Sequence, residues 1–413
     1  MLTLWICFEA LKSRYFCYPV TNLNLTETRM HQLSTILLFL LLAGCTGQLP
    51  PPPISVPESP PLRAASFAEL PGWTETTPAA AVDTFLKSCQ ALGRQERWAQ
   101  VCAQALFVAP GDEQVARQFF EDFFQPWQLM NEDGSTSGTI TGYYVPELEG
   151  SRTPDATYRY PLYRDPEDLL VIDLSAVYPE LKDFRLRGRI EGKRVVPYYE
   201  REEIDSARRP LDGQELFWVK DPVELFFLHI QGSGRILLPD GEKIMVGYAN
   251  QNGHPYQSIG RLLLERGAMT RDQMSMQNIR RWVAENPAAG EKLLAENPSY
   301  VFFHELERGV ESPPGALGVP LSAERSLAVD RRTTPLGAPV FLATSRPDSA
   351  APLNRLMVAQ DTGGAIKGRV RADFFWGLGA EAGALAGHMK QAGQMWVLLP
   401  RVDEWISKNF PHQ

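Results

Sequence analysis

The densest cluster of groups able to do chemistry runs from Val358 to Gly377: V-A-Q-D-T-G-G-A-I-K-G-R-V-R-A-D-F-F-W-G. Asp361 ends an apolar run and precedes Gly363 and Gly364, so the backbone must turn sharply after it. Asp373 stands directly before Phe374, Phe375 and Trp376. A carboxyl group desolvated by apolar neighbours holds its proton more tightly and can serve as a general acid near neutral pH. A plainer reading fits the same pattern, with Asp361 capping a turn and Asp373 a solvated carboxylate at a strand end. Residue pattern alone leaves the two readings open.

Other chemistries lack their residues. No G-x-S-x-G, H-E-x-x-H or G-x-x-x-x-G-K-[ST] occurs, and the six histidines are scattered without ligand spacing. Gly377, Gly379 and Gly383 do not form a dinucleotide fingerprint. Serine-nucleophile, nucleotide and metal chemistry therefore have no support, and no cofactor is expected. Lys+Arg number 41 against 49 Asp+Glu, a net charge of −8, which makes nucleic acid a poor partner.

The beginning of the chain predicts its location. Ile36 to Leu42 is an uninterrupted apolar run too short to span a bilayer, and Leu42-Ala43-Gly44-Cys45 follows at once. The run resembles a bacterial lipobox, which implies that Cys45 is acylated, becomes the new N-terminus and anchors the chain in lipid. Thr46 after the cysteine favours the outer membrane, facing the periplasm. Met30 is then the expected start, with residues 1–45 an over-long start plus a signal peptide. Residues 46–65 form a stiff tether, seven of the twelve residues from Pro50 to Pro61 being proline. Lipidation would leave Cys89 and Cys102 as the mature thiols. Both lie in helical patterns around Gly93, and in an oxidising periplasm they are expected to form a disulfide.

The positioning elements follow from periodicity. Residues 80–107 and 113–124 read as helices, and from Gly142 the pattern changes to short apolar or alternating runs. Val223–Ile230 and Lys243–Ala249 read as a strand pair, with Pro239-Asp240-Gly241 as turn chemistry between them. Ser258 to Arg266 is helical before Gly267, and Met274 to Glu296 holds two helices broken at Pro287. Strands are expected at 300–304, 338–343, 355–360 and 394–400, with a small helix at about 380–391. At 413 residues the chain exceeds one ordinary core. The pattern suggests α+β, mostly β, with a barrel-like core and an inserted segment.

An ordered series of motifs then points to a family. It begins with Thr141-Gly142-Tyr143-Tyr144, Tyr160-Pro161-Leu162-Tyr163-Arg164 and His229-Ile230-Gln231-Gly232-Ser233-Gly234. It continues through Gly247-Tyr248-Ala249, Asn252-Gly253-His254 and Asp330-Arg331. Asp361-x-Gly363-Gly364-Ala365-Ile366-Lys367-Gly368 and Gly379-x-Glu381-Ala382-Gly383 close it. From about residue 138 to 400 this resembles the membrane-bound lytic murein transglycosylase A family, with its C-terminal three-aspartate domain.

The resemblance implies a six-stranded double-psi β-barrel preceded by helices, interrupted by a second strand-rich domain, with a substrate groove between them. The expected division is 66–146 for the helical hairpin and first part of the barrel, 147–299 for the inserted β-rich substrate domain, and 300–403 for the rest. It implies Asp373 as the catalytic acid, with Asp361 and Lys367 orienting it and Asp330 as the third aspartate. Tyr143, Tyr144, Gln231, Gly232, Ser233, Tyr248, Asn252, Gly363 and Gly364 are the expected substrate-binding positions. The implied activity is cleavage of the β-1,4 bond between N-acetylmuramic acid and N-acetylglucosamine in peptidoglycan, leaving 1,6-anhydro ends. Two alternatives stand beside it: a non-catalytic peptidoglycan-binding lipoprotein, and an aspartic-type protease suggested by Asp361-Thr362-Gly363.

Overall fold

The computed structural model describes residues 4–10, 14–20 and 62–401, except positions 183 and 350. The expected lipid-attachment residue Cys45 and most of the Pro-rich tether lie outside the described residues. Leu4–Ala10 and Arg14–Val20 form an antiparallel hairpin in a unit of their own, Met1–Pro57. Among the described residues no helix is long and apolar enough to cross a membrane.

Six strands close into a ring, labelled here in chain order: β1 Gly138–Val145, β2 Ser326–Val329, β3 Pro339–Ser345, β4 Pro352–Asp361, β5 Arg371–Leu378 and β6 Lys390–Pro400. Each pairs with two others in the order β3-β4-β2-β5-β1-β6 and back to β3. The β2–β4 and β5–β1 pairings are parallel and the rest antiparallel. Runs such as Val340-Phe341-Leu342 and Met395 to Leu399 are apolar throughout because closure buries them. Phe374 and Trp376 of β5 point into the same core, while Phe375 packs in a separate cluster on the other face. Gly142 of β1 is needed for close approach: a Cβ there would lie 2.8 Å from both Ala386 Cα and Trp376 Nε1.

Three helices, α1 Ala79–Leu92, α2 Glu96–Ala105 and α3 Glu113–Phe123, pack on the ring through Phe85, Trp98 and Phe119. Cys89 and Cys102 form a disulfide between α1 and α2. A buried polar network pins α1 to β4: Gln360 Nε2 donates to Thr84 O at 3.0 Å and Ser88 Oγ at 2.8 Å, and Ser326 Oγ donates to Gln360 Oε1 at 2.6 Å. Fully satisfied networks of this kind fix register. This one acts at the residue immediately before Asp361.

Between β1 and β2 lies a second, six-stranded sheet, in the order 301–305, 243–251, 233–237, 147–151, 215–219 and 160–163. Strand Val301–Glu305 belongs to this sheet, so the return to the ring comes at Ser326 and not at residue 300. The expected strand over Val223–Ile230 is a helix, α4 Pro222–Gln231, and the hairpin partner of 243–251 is Ser233–Leu237. Capping explains the difference. Asp221 Oδ1 accepts from the Val223 and Glu224 amides, Pro222 fills the first helical position, and Gly232 ends the helix at φ +77°. Its apolar character on several sides reflects burial between two clusters, Leu225 and Leu228 in one, Val223 and Phe226 in the other.

The disulfide closes a span of 13 residues beside the ring. In the chain-entropy model its reduction lowers stability by about 3 kcal/mol. Urea unfolding of oxidised and reduced protein checks this; coincident transitions would contradict it.

Candidate active site

The two aspartates of the glycine-rich segment lie in one row across the ring. Ala328 of β2 pairs with Asp361 of β4 on one side and with Asp373 of β5 on the other, and Thr141 of β1 continues the row. Neighbouring strands lie about 4.8 Å apart, which separates the two aspartate backbones by roughly 10 Å. The register shifts at Leu327/Ala328, where Ala328 faces Asp361 and Gln360 is the extra residue. A bulge of this kind re-aims side chains. Asp361 follows the shift directly.

Asp361 is largely committed. Its Oδ1 accepts from the Ala316 amide and the Thr362 amide, both at 2.9 Å. Burial pushes its carboxyl above the usual carboxylate range, against those bonds, and the charge of Asp373 adds to the rise. Among the described residues Asp373 has one hydrogen-bond partner, Arg371 Nη1 at 3.0 Å. Burial raises it too, opposed by the Arg371 cation. The Tyr143 ring lies 5.0 Å from that of Phe375, and its hydroxyl is buried without a hydrogen bond of good geometry. Desolvation, then the charges of Asp361 and Asp373, hold this phenol well above its ordinary value. It therefore stays protonated beside both carboxylates.

The third aspartate works at a distance from this row. Asp330 accepts from the Arg332 amide and guanidinium and, at 2.9 Å, from the Gly368 amide. Its backbone carbonyl takes the Thr333 and Thr334 amides. Asp330 thus clamps the turn after β2 to the loop between Asp361 and Asp373. Lys367 is exposed and no hydrogen bond or ion pair joins it to either carboxylate. The cation at Asp373 is Arg371, in place of the expected Lys367.

A groove of about 550 Å³ runs between residues of the ring and of the inserted sheet. Tyr143, Tyr144, Gln231, Gly232, Ser233, Tyr248, Asp361, Gly363 and Gly364 line it. Two expected positions do not. Asn252 is buried as a brace, accepting from the Tyr300 amide and donating to Tyr199 O and Pro298 O. Asp373 lies outside the lining, with its side chain about 20% exposed. Arg185, Tyr256, Asn297, Ser299 and His229 also border the groove, beyond the expected substrate-binding positions. Arg185 lies in a loop outside any motif, whereas Tyr256 follows Asn252-Gly253-His254 closely and His229 heads the motif that runs to Gly234. Gln231 Oε1 accepts from the Tyr144 amide at 3.2 Å, which ties the two walls together.

Comparison with known proteins agrees with this layout. The family model described as the MltA specific insert domain matches residues 139–304, and the 3D domain matches residues 325–399. Membrane-bound lytic murein transglycosylase A of Escherichia coli K12 is 34% identical over 297 residues, 70% of this chain and 72% of that protein. The crystal structure of MltA from Neisseria gonorrhoeae is 42% identical, with a TM-score of 0.73 over 82% of this chain and 92% of that one. E. coli MltA with bound chitohexaose is 30% identical, with a TM-score of 0.62 over 79% and 90%.

The Asp330 clamp carries a pH signature. Its carboxyl is lowered to about 2, first by the Arg332 hydrogen bonds and, after the opposing effect of burial, by the Gly368 amide. A depressed carboxylate contributes stability above its unfolded pKa near 3.9 and loses it as pH falls towards 2. Since Arg332 is 61% exposed, the contribution is discounted to roughly 1–2 kcal/mol. Asp330→Asn should therefore be less stable by that amount at pH 7, with the gap to the parent closing between pH 4 and 2. A gap independent of pH would contradict the clamp.

Proposed function

This chain belongs to the membrane-bound lytic murein transglycosylase A family, and from that premise we propose how it acts. It is a peptidoglycan lytic transglycosylase. The bond it cleaves is the β-1,4 bond from N-acetylmuramic acid to N-acetylglucosamine, and a single carboxyl group, Asp373, drives the reaction. What supports Asp373 over Asp361 is commitment: Asp361 already accepts two backbone amides through one oxygen, whereas among the described residues Asp373 is bonded by Arg371 alone. An acid that gives and regains a proton must be stable in both states, and two fixed amide donors favour the charged one.

Protonated Asp373 gives its proton to the glycosidic O4, and the C1–O4 bond breaks to release the N-acetylglucosamine end. The carboxylate left behind takes the proton of the muramoyl C6 hydroxyl as that oxygen attacks C1. The 1,6-anhydro ring closes and Asp373 is an acid again. Ordinary glycosidases place a second carboxylate to activate water or attack C1. Here the nucleophile belongs to the sugar, and its high effective molarity removes that need. Positive charge developing at C1 faces a row holding two carboxyl groups and the Tyr143 hydroxyl, so the polar surroundings are in place beforehand.

The ring is proposed to be a double-psi barrel, in keeping with its two parallel pairings. Acylation at Cys45 would hold the enzyme in the outer membrane, facing the glycan strands that are its partners.

A second reading makes Asp361 the acid, because Asp361 lines the groove and Asp373 does not. Anhydromuropeptide release from purified sacculi, measured beside melting curves, separates them. Asp373→Asn should stay folded and lose about 10³-fold or more, and Asp361→Asn about ten-fold. Near-normal release by a folded Asp373→Asn protein would transfer the role to Asp361. Release of peptides, or no release by the parent, would sink the transglycosylase reading itself.

A further inference from the structure

Among the described residues, two buried polar atoms bordering the groove lack a hydrogen-bond partner: the Tyr143 hydroxyl on the ring side and His229 Nε2 on the inserted side. Buried donors and acceptors are nearly always paired, so each points to something the free protein lacks. Tyr143 has the two carboxylates beside it. His229 has no such neighbour.

His229 sits in the last turn of α4 and is 6% exposed. It is held from behind. Arg201 Nη2 lies 2.9 Å from His229 Nδ1 and donates to Ser299 O at 2.7 Å, while Arg201 Nε donates to Asn297 O at 3.1 Å. The guanidinium is buried between the rings of Phe226 and Tyr300, 4.9 and 4.7 Å from their centroids. Its Nη1 reaches the carboxylate of Asp205 at 4.0 Å. A guanidinium offers donors only, so Nδ1 must be the bare, accepting nitrogen. The ring proton then sits on Nε2, and the unpaired group of this groove-bordering residue is an N–H donor. Burial first, and the Arg201 charge second, hold the imidazole well below its ordinary basicity.

A buried donor flanked by aliphatic and aromatic carbon suits a strong, uncharged acceptor. Ile230 and Val301 border the groove beside it, and the Phe303 ring stacks on the imidazole at 5.6 Å. An acetamido group meets both demands, its carbonyl accepting and its methyl lying on aliphatic carbon. We propose that His229 Nε2–H donates to the acetamido carbonyl of an N-acetylhexosamine bound in the groove, with Arg201 as the positioning residue that fixes the tautomer. The inference rests on the glycan-cleaving reading above and adds a specificity contact to it.

Two probes test this, chitohexaose and cellohexaose, which differ in the acetamido group. In protein labelled with ¹⁵N at histidine, His229 should show a bare Nδ1 and a protonated Nε2 at neutral pH. The Nε2–H signal should move on saturation with chitohexaose and stay in place with cellohexaose. An Nδ1–H tautomer, an imidazolium, an unmoved signal or no chitohexaose binding would overturn the proposal, and none of these readouts needs a variant to fold. By calorimetry His229→Leu should bind chitohexaose about ten-fold more weakly, equal to about 1.4 kcal/mol, and His229→Gln should recover part of the loss. Unchanged affinity in a folded His229→Leu protein, or an equal loss for both probes, would also overturn it. Anhydromuropeptide release by the parent is measured separately. A His229-dependent chitohexaose response without such release would leave this contact standing and remove the lytic reading.

Discussion

The site depends on one local irregularity, the register shift where β2 meets the end of β4. It sets Asp361 opposite Ala328, and Ala328 faces Asp373 on its other side. Two desolvated carboxyl groups thus stand on either side of β2, and the charge of Asp373 opposes ionisation of Asp361. Such an arrangement persists only if the surrounding structure fixes it firmly. The protonated Tyr143 phenol stands alongside.

Much of the remaining architecture serves that fixation. Gln360 is tied to α1 and to Ser326, which anchors the bulge from the inside of the fold. Asp330 fastens Gly368, midway between the aspartates in sequence. Ala316 reaches Asp361 from the segment that returns from the inserted sheet. That sheet supplies the opposite wall through α4, which delivers His229 and Gln231 from a buried helix. The ring thus carries Asp361 and Asp373, and the inserted sheet and its helix carry His229 and Gln231 on the facing wall.

The sequence made some of this visible and hid the rest for physical reasons. Asp361 stood out because two glycines follow an apolar run, and its turn is where the chain leaves β4. Asp373 looked like a strand-end carboxylate but sits within β5, paired on both sides, because ring closure extends pairing past what local alternation shows. Val223–Ile230 carries no amphipathic signal, since α4 is buried on more than one face. Its caps, Asp221-Pro222 and Gly232, were the legible cue. Asn252 was expected in the groove, yet its amide is spent bracing backbone around Tyr300. Lys367 was expected at the acids, but the cation two residues along the strand from Asp373, Arg371, shares its outward face. Arg201, far from any quoted motif, acts through a histidine, and only three-dimensional contact reveals that.

The proposed chemistry turns on the sugar's own hydroxyl displacing the leaving group. Intramolecular attack and attack by water differ in which oxygen ends up on the muramoyl C1, the sugar's own O6 or one from water. Digestion of purified sacculi in ¹⁸O-enriched water, followed by mass spectrometry of the released muropeptides, reads that atom directly. The account predicts products lighter by one water than hydrolysis would give, with no ¹⁸O at the muramoyl C1. Reducing muramoyl ends carrying ¹⁸O would contradict it.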